Sequence, residues 1–75
     1  VLCTVTVKNG QGQPVAGAQV SYYFSSWVPI GATVGGQVTK ELLPANITFR
    51  ETIGSVTQNK VQNIGTSSLV EFVVQ

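Results

Sequence analysis

Residues 8–24 read KNGQGQPVAGAQVSYYF, and the fold turns on what these glycines are for. An alternating apolar run precedes them. Two structures therefore compete: a phosphate-binding loop between a strand and a helix, or a corner between two strands. A dinucleotide fingerprint opening at Gly10 and Gly12 needs its third glycine at position 15, where Val15 stands. A Walker-type loop ends in Gly-Lys-Ser/Thr, and no lysine follows these glycines. Both loops also present the phosphate to a helix N-terminus. Here the glycines lead into AQVSYYF, with Ala18, Val20, Tyr22 and Phe24 on one side at period two, which is the pattern of a strand. Asn9, Gly10 and Gly12 suit a turn, and Pro14 stiffens the return. The stretch is a corner.

The same period recurs along the rest of the chain. Residues 1–8 set Val1, Cys3, Val5 and Val7 against Leu2, Thr4, Thr6 and Lys8. Residues 27–34 form a rougher strand that Pro29 marks as an edge or a bulge. Gly35-Gly36 supplies the positive φ of a two-residue hairpin turn. Residues 38–43 alternate until Pro44 stops them, and residues 46–53 place Ile47, Phe49, Glu51 and Ile53 on one face. Gly54-Ser55 turns the chain into a polar strand over 56–62, and 69–74 is the last strand. Val, Ile and Thr dominate, and their branched side chains suit a pleated surface. Seven short strands with turn signals between them predict an all-β, seven-stranded antiparallel β-sandwich of transthyretin-like or immunoglobulin-like type. Cys3, Val20, Phe24, Ile30, Leu42, Phe49, Ile53, Val70 and Phe72 are its expected core.

Composition narrows the function. Seventy-five residues make one module, 1–75, and a chain of this size buries roughly 60% of its unfolded surface. Charged residues are 9% of the chain and the net charge is +1, so nothing in the balance favours nucleic acid or an anionic membrane. Histidine, aspartate and methionine are absent. Much acid–base and zinc chemistry relies on histidine, and calcium loops rely on clustered aspartate. We therefore expect no enzyme activity, no cofactor, no bound metal and no membrane insertion. No signal-peptide pattern opens the chain, and we expect it to be a mature or excised piece of something longer.

The segment VTVKNGQGQPVAGAQVSYY (5–23) resembles the start of a carboxypeptidase-regulatory-like or transthyretin-like module: a strand, a G-x-P-V-x-G-A-x-V turn and a second strand. The segment from Trp27 to Ile64, with the closing VEFVV, is similar to tandem β-sandwich repeats of very large bacterial surface and secreted proteins. In those repeats an aromatic strand leads into an acidic hairpin, then K-E-L-L-P-G-x-Y-T-F-R. Here Thr33-Val34-Gly35-Gly36 replaces the acidic hairpin, and Pro44-Ala45-Asn46-Ile47 replaces P-G-x-Y. The resemblance covers nearly the whole chain. It implies a non-enzymatic building block, extracellular or on the cell surface, and supplies no catalytic residue.

Several residues invite sharper readings. Four of the six aromatics fall within Tyr22–Trp27. Tyr22 and Phe24 belong to the inner face, which leaves Tyr23 and Trp27 as a candidate sugar-stacking contact. The expected fold also resembles sandwich modules of Gram-positive pili, some of which close an internal Lys–Asn isopeptide bond beside a buried acid. Lys8 and the apolar-flanked Glu51 would suit it, but the last strand holds no Asn or Asp to receive it. Cys3 reads as a buried small hydrophobe. Asn46-Ile47-Thr48 is formally a glycosylation acceptor, pertinent only in a eukaryotic secretory pathway. The last strand is apolar on both faces apart from Glu71, which suits either a central strand or one covered by a neighbouring copy.

Together these observations lead us to expect a spacer, repeated or self-assembled in a rod, fibre or adhesin. Its partners would be neighbouring copies touching through Val1, Leu2, Leu69 and Val73. A carbohydrate-binding module using Tyr23 and Trp27 on surface glycans is the alternative. An odd number of direction-reversing strands places the two ends of the module far apart.

Overall fold

The alternation at the start of the chain becomes β1 (Leu2–Asn9) in a computed structural model that describes residues 1–74. It is followed by β2 (Gln19–Phe24), β3 (Ser26–Ala32), β4 (Gln37–Glu41), β5 (Asn46–Ile53), β6 (Val56–Asn63) and β7 (Leu69–Val74), with no helix among the described residues. Two sheets result. One has the order β4-β1-β7 and the other β3-β2-β5-β6. Side chains from their inner faces interlock as a single apolar layer in which Val5, Val7, Val20, Phe49 and Val70 are almost wholly buried, joined by Ile64 from the β6–β7 connection.

The expected all-antiparallel arrangement is corrected at one place. β1 pairs with β7 in parallel, from Thr4↔Leu69 to Asn9↔Val74, while the other pairings are antiparallel. The cause is the strand count itself. Six reversals leave the seventh strand running the same way as the first, so when the two lie side by side they must be parallel. A further consequence is that β7 is an edge strand and not the central strand its apolar composition allowed. Val70, Phe72 and Val74 face the core, and Leu69, Glu71 and Val73 face outward.

Turn chemistry explains the connections. Gly35 and Gly36, at φ 61° and 83°, form a tight hairpin closed by Val34 and Gln37, as the twist of paired strands requires. Gly54, at φ 58°, does the same between β5 and β6. Asn9 organises the β1–β2 corner, its side-chain oxygen accepting from the amides of Gln11 and Gln13. The buried Thr33 then ties that corner to the sandwich: its hydroxyl accepts from Ala18 N at 3.1 Å and donates to Val15 O at 2.8 Å. Pro29 lies on the edge strand β3, next to a bulge that leaves Ile30 unpaired between Gly31 and Pro29.

The core differs from expectation in depth and not in face. Ile30 and Ile53 are half-buried against it, and Val5, Val7, Ala18, Ile64 and Val74 extend it. Phe24 is the one expected core residue that the structure removes, at 71% exposed. Its side is the inner one, but it lies beyond the last residue that the opposite sheet covers.

Candidate functional site

The outer face of the four-stranded sheet gathers one side chain from each strand. Tyr23 on β2 and Trp27 on β3 are directly opposite partners, and their rings meet edge to face at 5.3 Å and 75°. On β5, Arg50 sits opposite Ser21, whose small side chain leaves room for the guanidinium to pass over β2. The Arg50 carbon Cζ lies 3.9 Å from the centre of the Trp27 ring, a cation–π contact. Its Nε donates to Asn59 Oδ1 on β6 at 3.2 Å. Tyr23, Trp27, Arg50 and Asn59 thus form a continuous row across the sheet.

The row brings the two residues of the glycan reading together and adds two that the sequence did not single out. Arg50 was legible as an outward position of its strand, whereas the polar run 56–62 has no apolar face from which to place Asn59. Their meeting with Trp27 depends on register, which alternation alone does not reveal. Chemically the row combines an exposed phenol, a half-buried indole and a guanidinium. Neither ion pair found among the described residues, the Val1 backbone ammonium with Glu41 and Lys8 with Glu71, involves Arg50. A sugar ring stacking on the indole would meet one face already covered by Arg50. Polar sugar groups or an anionic substituent would instead find the guanidinium's remaining N–H groups.

Beside Tyr23 an open, mostly apolar groove of about 600 Å³ runs between the end of β2 and the β4–β5 connection. Tyr22, Phe24, Leu42, Leu43 and Pro44 line it, with Leu43 81% exposed. The connection is held in place at its start, where Leu42 N donates to Val1 O at 2.8 Å, and at its finish, where Ile64 N donates to Ala45 O at 3.1 Å. Three of the four expected inter-module residues belong to this end of the sandwich: Val1, Leu2 and Leu69 are all exposed. Val73, paired with Lys8, lies toward the opposite end. There the β3–β4 hairpin presents Val34, 81% exposed.

Two groups raised as reactive candidates are placed differently. Lys8 points outward and pairs with Glu71 at 2.8 Å, away from the core-facing Glu51. That hydrogen bond, together with the lysine's charge, holds the Glu71 carboxyl below its ordinary pKa. Glu51 is fully buried, neither of its oxygens has a hydrogen-bond partner, and burial raises its pKa. Burial likewise raises the thiol pKa of Cys3, which weakens it as a nucleophile. Asn46 is exposed at the start of β5. Among the described residues no three His, Cys, Asp or Glu side chains converge to hold a cation.

Compared with known proteins, the chain matches no family model, and no curated protein is similar enough to count as a relative. Its function has to be argued from this geometry.

Proposed function

We propose that this module is a non-catalytic spacer, a building block of a rod, fibre or adhesin at the cell surface or outside the cell. The observation that carries this reading is the parallel pairing of β1 with β7, which sends Val1 and Val74 out at opposite ends of the sandwich. Copies can then succeed one another along one axis, whether joined in one polypeptide or assembled as subunits. The ends also differ in chemistry. One carries the apolar groove with Phe24 and Leu43, and the other carries the projecting Val34 hairpin. Unlike ends that meet head to tail, with no rotation that closes a ring, build open filaments. The resemblance to tandem bacterial surface repeats supports the same conclusion.

Electron microscopy or small-angle scattering of the native material tests it. The expected result is a linear array with an axial repeat close to the module's 30 Å long dimension. Isolated globular monomers would overturn the reading.

The alternative, a carbohydrate-binding module, is favoured by the exposure of Tyr23 at the mouth of the apolar groove. Binding on a glycan array that Tyr23→Ala or Trp27→Ala abolishes would establish it in place of the spacer.

A further inference from the structure

We infer that β1 and β7 form a mechanical clamp that bears tension along the axis joining the two ends of the module. The inference rests on the spacer reading, because only a module held at both ends feels such tension. Its basis is geometric. β1 and β7 are neighbours, run in the same direction, and are paired over six residues, from Thr4↔Leu69 to Asn9↔Val74. Tension enters β1 at Val1 and leaves β7 at Val74. It therefore slides the two strands past one another in opposite directions. The ladder bonds run across that slide and are loaded together, so no bond at the end of the ladder can fail first and relieve the others. An antiparallel terminal pair would have both chain ends on the same side and would open one bond at a time.

The surroundings of the pair favour the same role. β1 is the central strand of its sheet, held on its other edge by β4 from Leu2↔Glu41 to Thr6↔Gln37. On the inner side, Val5, Val7, Val70 and Phe72 are buried, so water cannot reach the ladder from below. On the outer side, Lys8 Nζ and Glu71 Oε2 bridge the two strands at 2.8 Å. β7 has a free edge, and that edge is pinned to the opposite sheet by side chains of β6. Gln58 Nε2 donates to Val73 O at 2.9 Å, Lys60 Nζ to Glu71 O at 3.0 Å, and Gln62 Nε2 to Leu69 O at 2.6 Å. The donors sit two residues apart on β6 and the acceptors two apart on β7, so the row acts as a side-chain seam. Neither terminal strand has an unattached edge from which to peel.

Single-molecule force spectroscopy tests the clamp by pulling one folded protein in two directions. In the first, force is applied through the N- and C-terminal ends. In the second it is applied through the C-terminal end and a handle at Gln11→Cys. Position 11 is exposed and lies at the same end of the pair as Asn9↔Val74. The native Cys3 is fully buried, so the handle reagent reaches only the new thiol while the protein is folded. The expected result is an unfolding force several-fold higher in the first direction than in the second at equal pulling speed. A Lys60→Ala, Gln62→Ala variant should lower the first force and leave the second nearly unchanged. Equal forces in the two directions would overturn the clamp. That outcome is separable from failure of the spacer reading: lone monomers under the microscope would sink the spacer and leave the directional resistance intact.

Discussion

Glu51 is carried into the core by the pleat of β5, between Phe49 and Ile53 on the inward face. Its register neighbours, Val20 on β2 and Gln58 on β6, bring no charge to it. Lys60, one pleat along β6, gives its ammonium to Glu71 O instead. A buried carboxyl with no partner is held more easily as the neutral acid, so its folded pKa is raised. That fixes the sign of the pH dependence. Between the unfolded and folded pKa values, the folded state holds the proton that the unfolded state has released. The contribution of Glu51 is therefore most favourable below about pH 4.3, falls as pH rises, and levels off above its folded pKa. Each pKa unit of elevation costs about 1.4 kcal/mol at neutral pH. Glu71, exposed and lowered by Lys8, acts in the opposite direction at lower pH, and a Glu71→Gln background removes its contribution. Urea denaturation from pH 4 to pH 8 should show the Glu71→Gln protein losing stability. The same protein carrying Glu51→Gln should stay level and be the more stable at pH 8. A flat profile with Glu51 present would contradict its unpaired burial.

At the scale of elements, the β3–β4 hairpin is set by one glycine more than by the other. A Cβ on Gly36 would stand 2.5 Å from Pro14 Cβ and 3.1 Å from Val7 O, whereas one on Gly35 would meet nothing within 4 Å. Both carry positive φ, so alanine strains either turn, but only at position 36 does it also push the hairpin off the β1–β2 corner. Gly35→Ala should cost about 1 kcal/mol, and Gly36→Ala about 1–3 kcal/mol more, since overpacking adds to the strain. Thermal melts of the two variants make the comparison, and equal losses would refute the close approach. Elements of this kind were largely legible in advance. The two-residue turns at Gly35 and Gly54 and the stretch from Asn46 to Ile53 are dictated by glycine chemistry and period two, while the last strand, apolar on both faces, announced itself as a strand but not as an edge. Alternation reports which side a residue faces but not whether anything lies above it. That is why Phe24 has the expected side and yet stands exposed at the rim of the groove. Nor does it report which strands are neighbours, so the parallel β1–β7 pair and the reach of Arg50 to Trp27 needed the assembled sheets.

For the molecule as a whole, the β6–β7 seam closes the side of the sandwich that backbone pairing leaves open. Replacing Gln58, Lys60 and Gln62 together by alanine should cost on the order of 0.5 kcal/mol per exposed hydrogen bond, at the low end for such bonds. The larger effect should be on association. Light scattering at high protein concentration should show slow growth of aggregates in the triple variant. It should show none in the parent chain or in a matched Thr57→Ala, Asn59→Ala variant on the other face of β6. Growth in the matched variant alone would place the protection elsewhere. The seam matters because identical copies joined by short linkers meet at millimolar effective concentration. At that density a bare β7 edge would accept a strand from the next copy as readily as its own contacts, and swapped or tangled neighbours are a characteristic failure of repeated domains. In this chain the carbonyls at Leu69, Glu71 and Val73 are already occupied from within. A strand arriving from a linked copy would have to displace those side chains before it could pair, so the seam would lower the folding hazard that identical neighbours pose to one another.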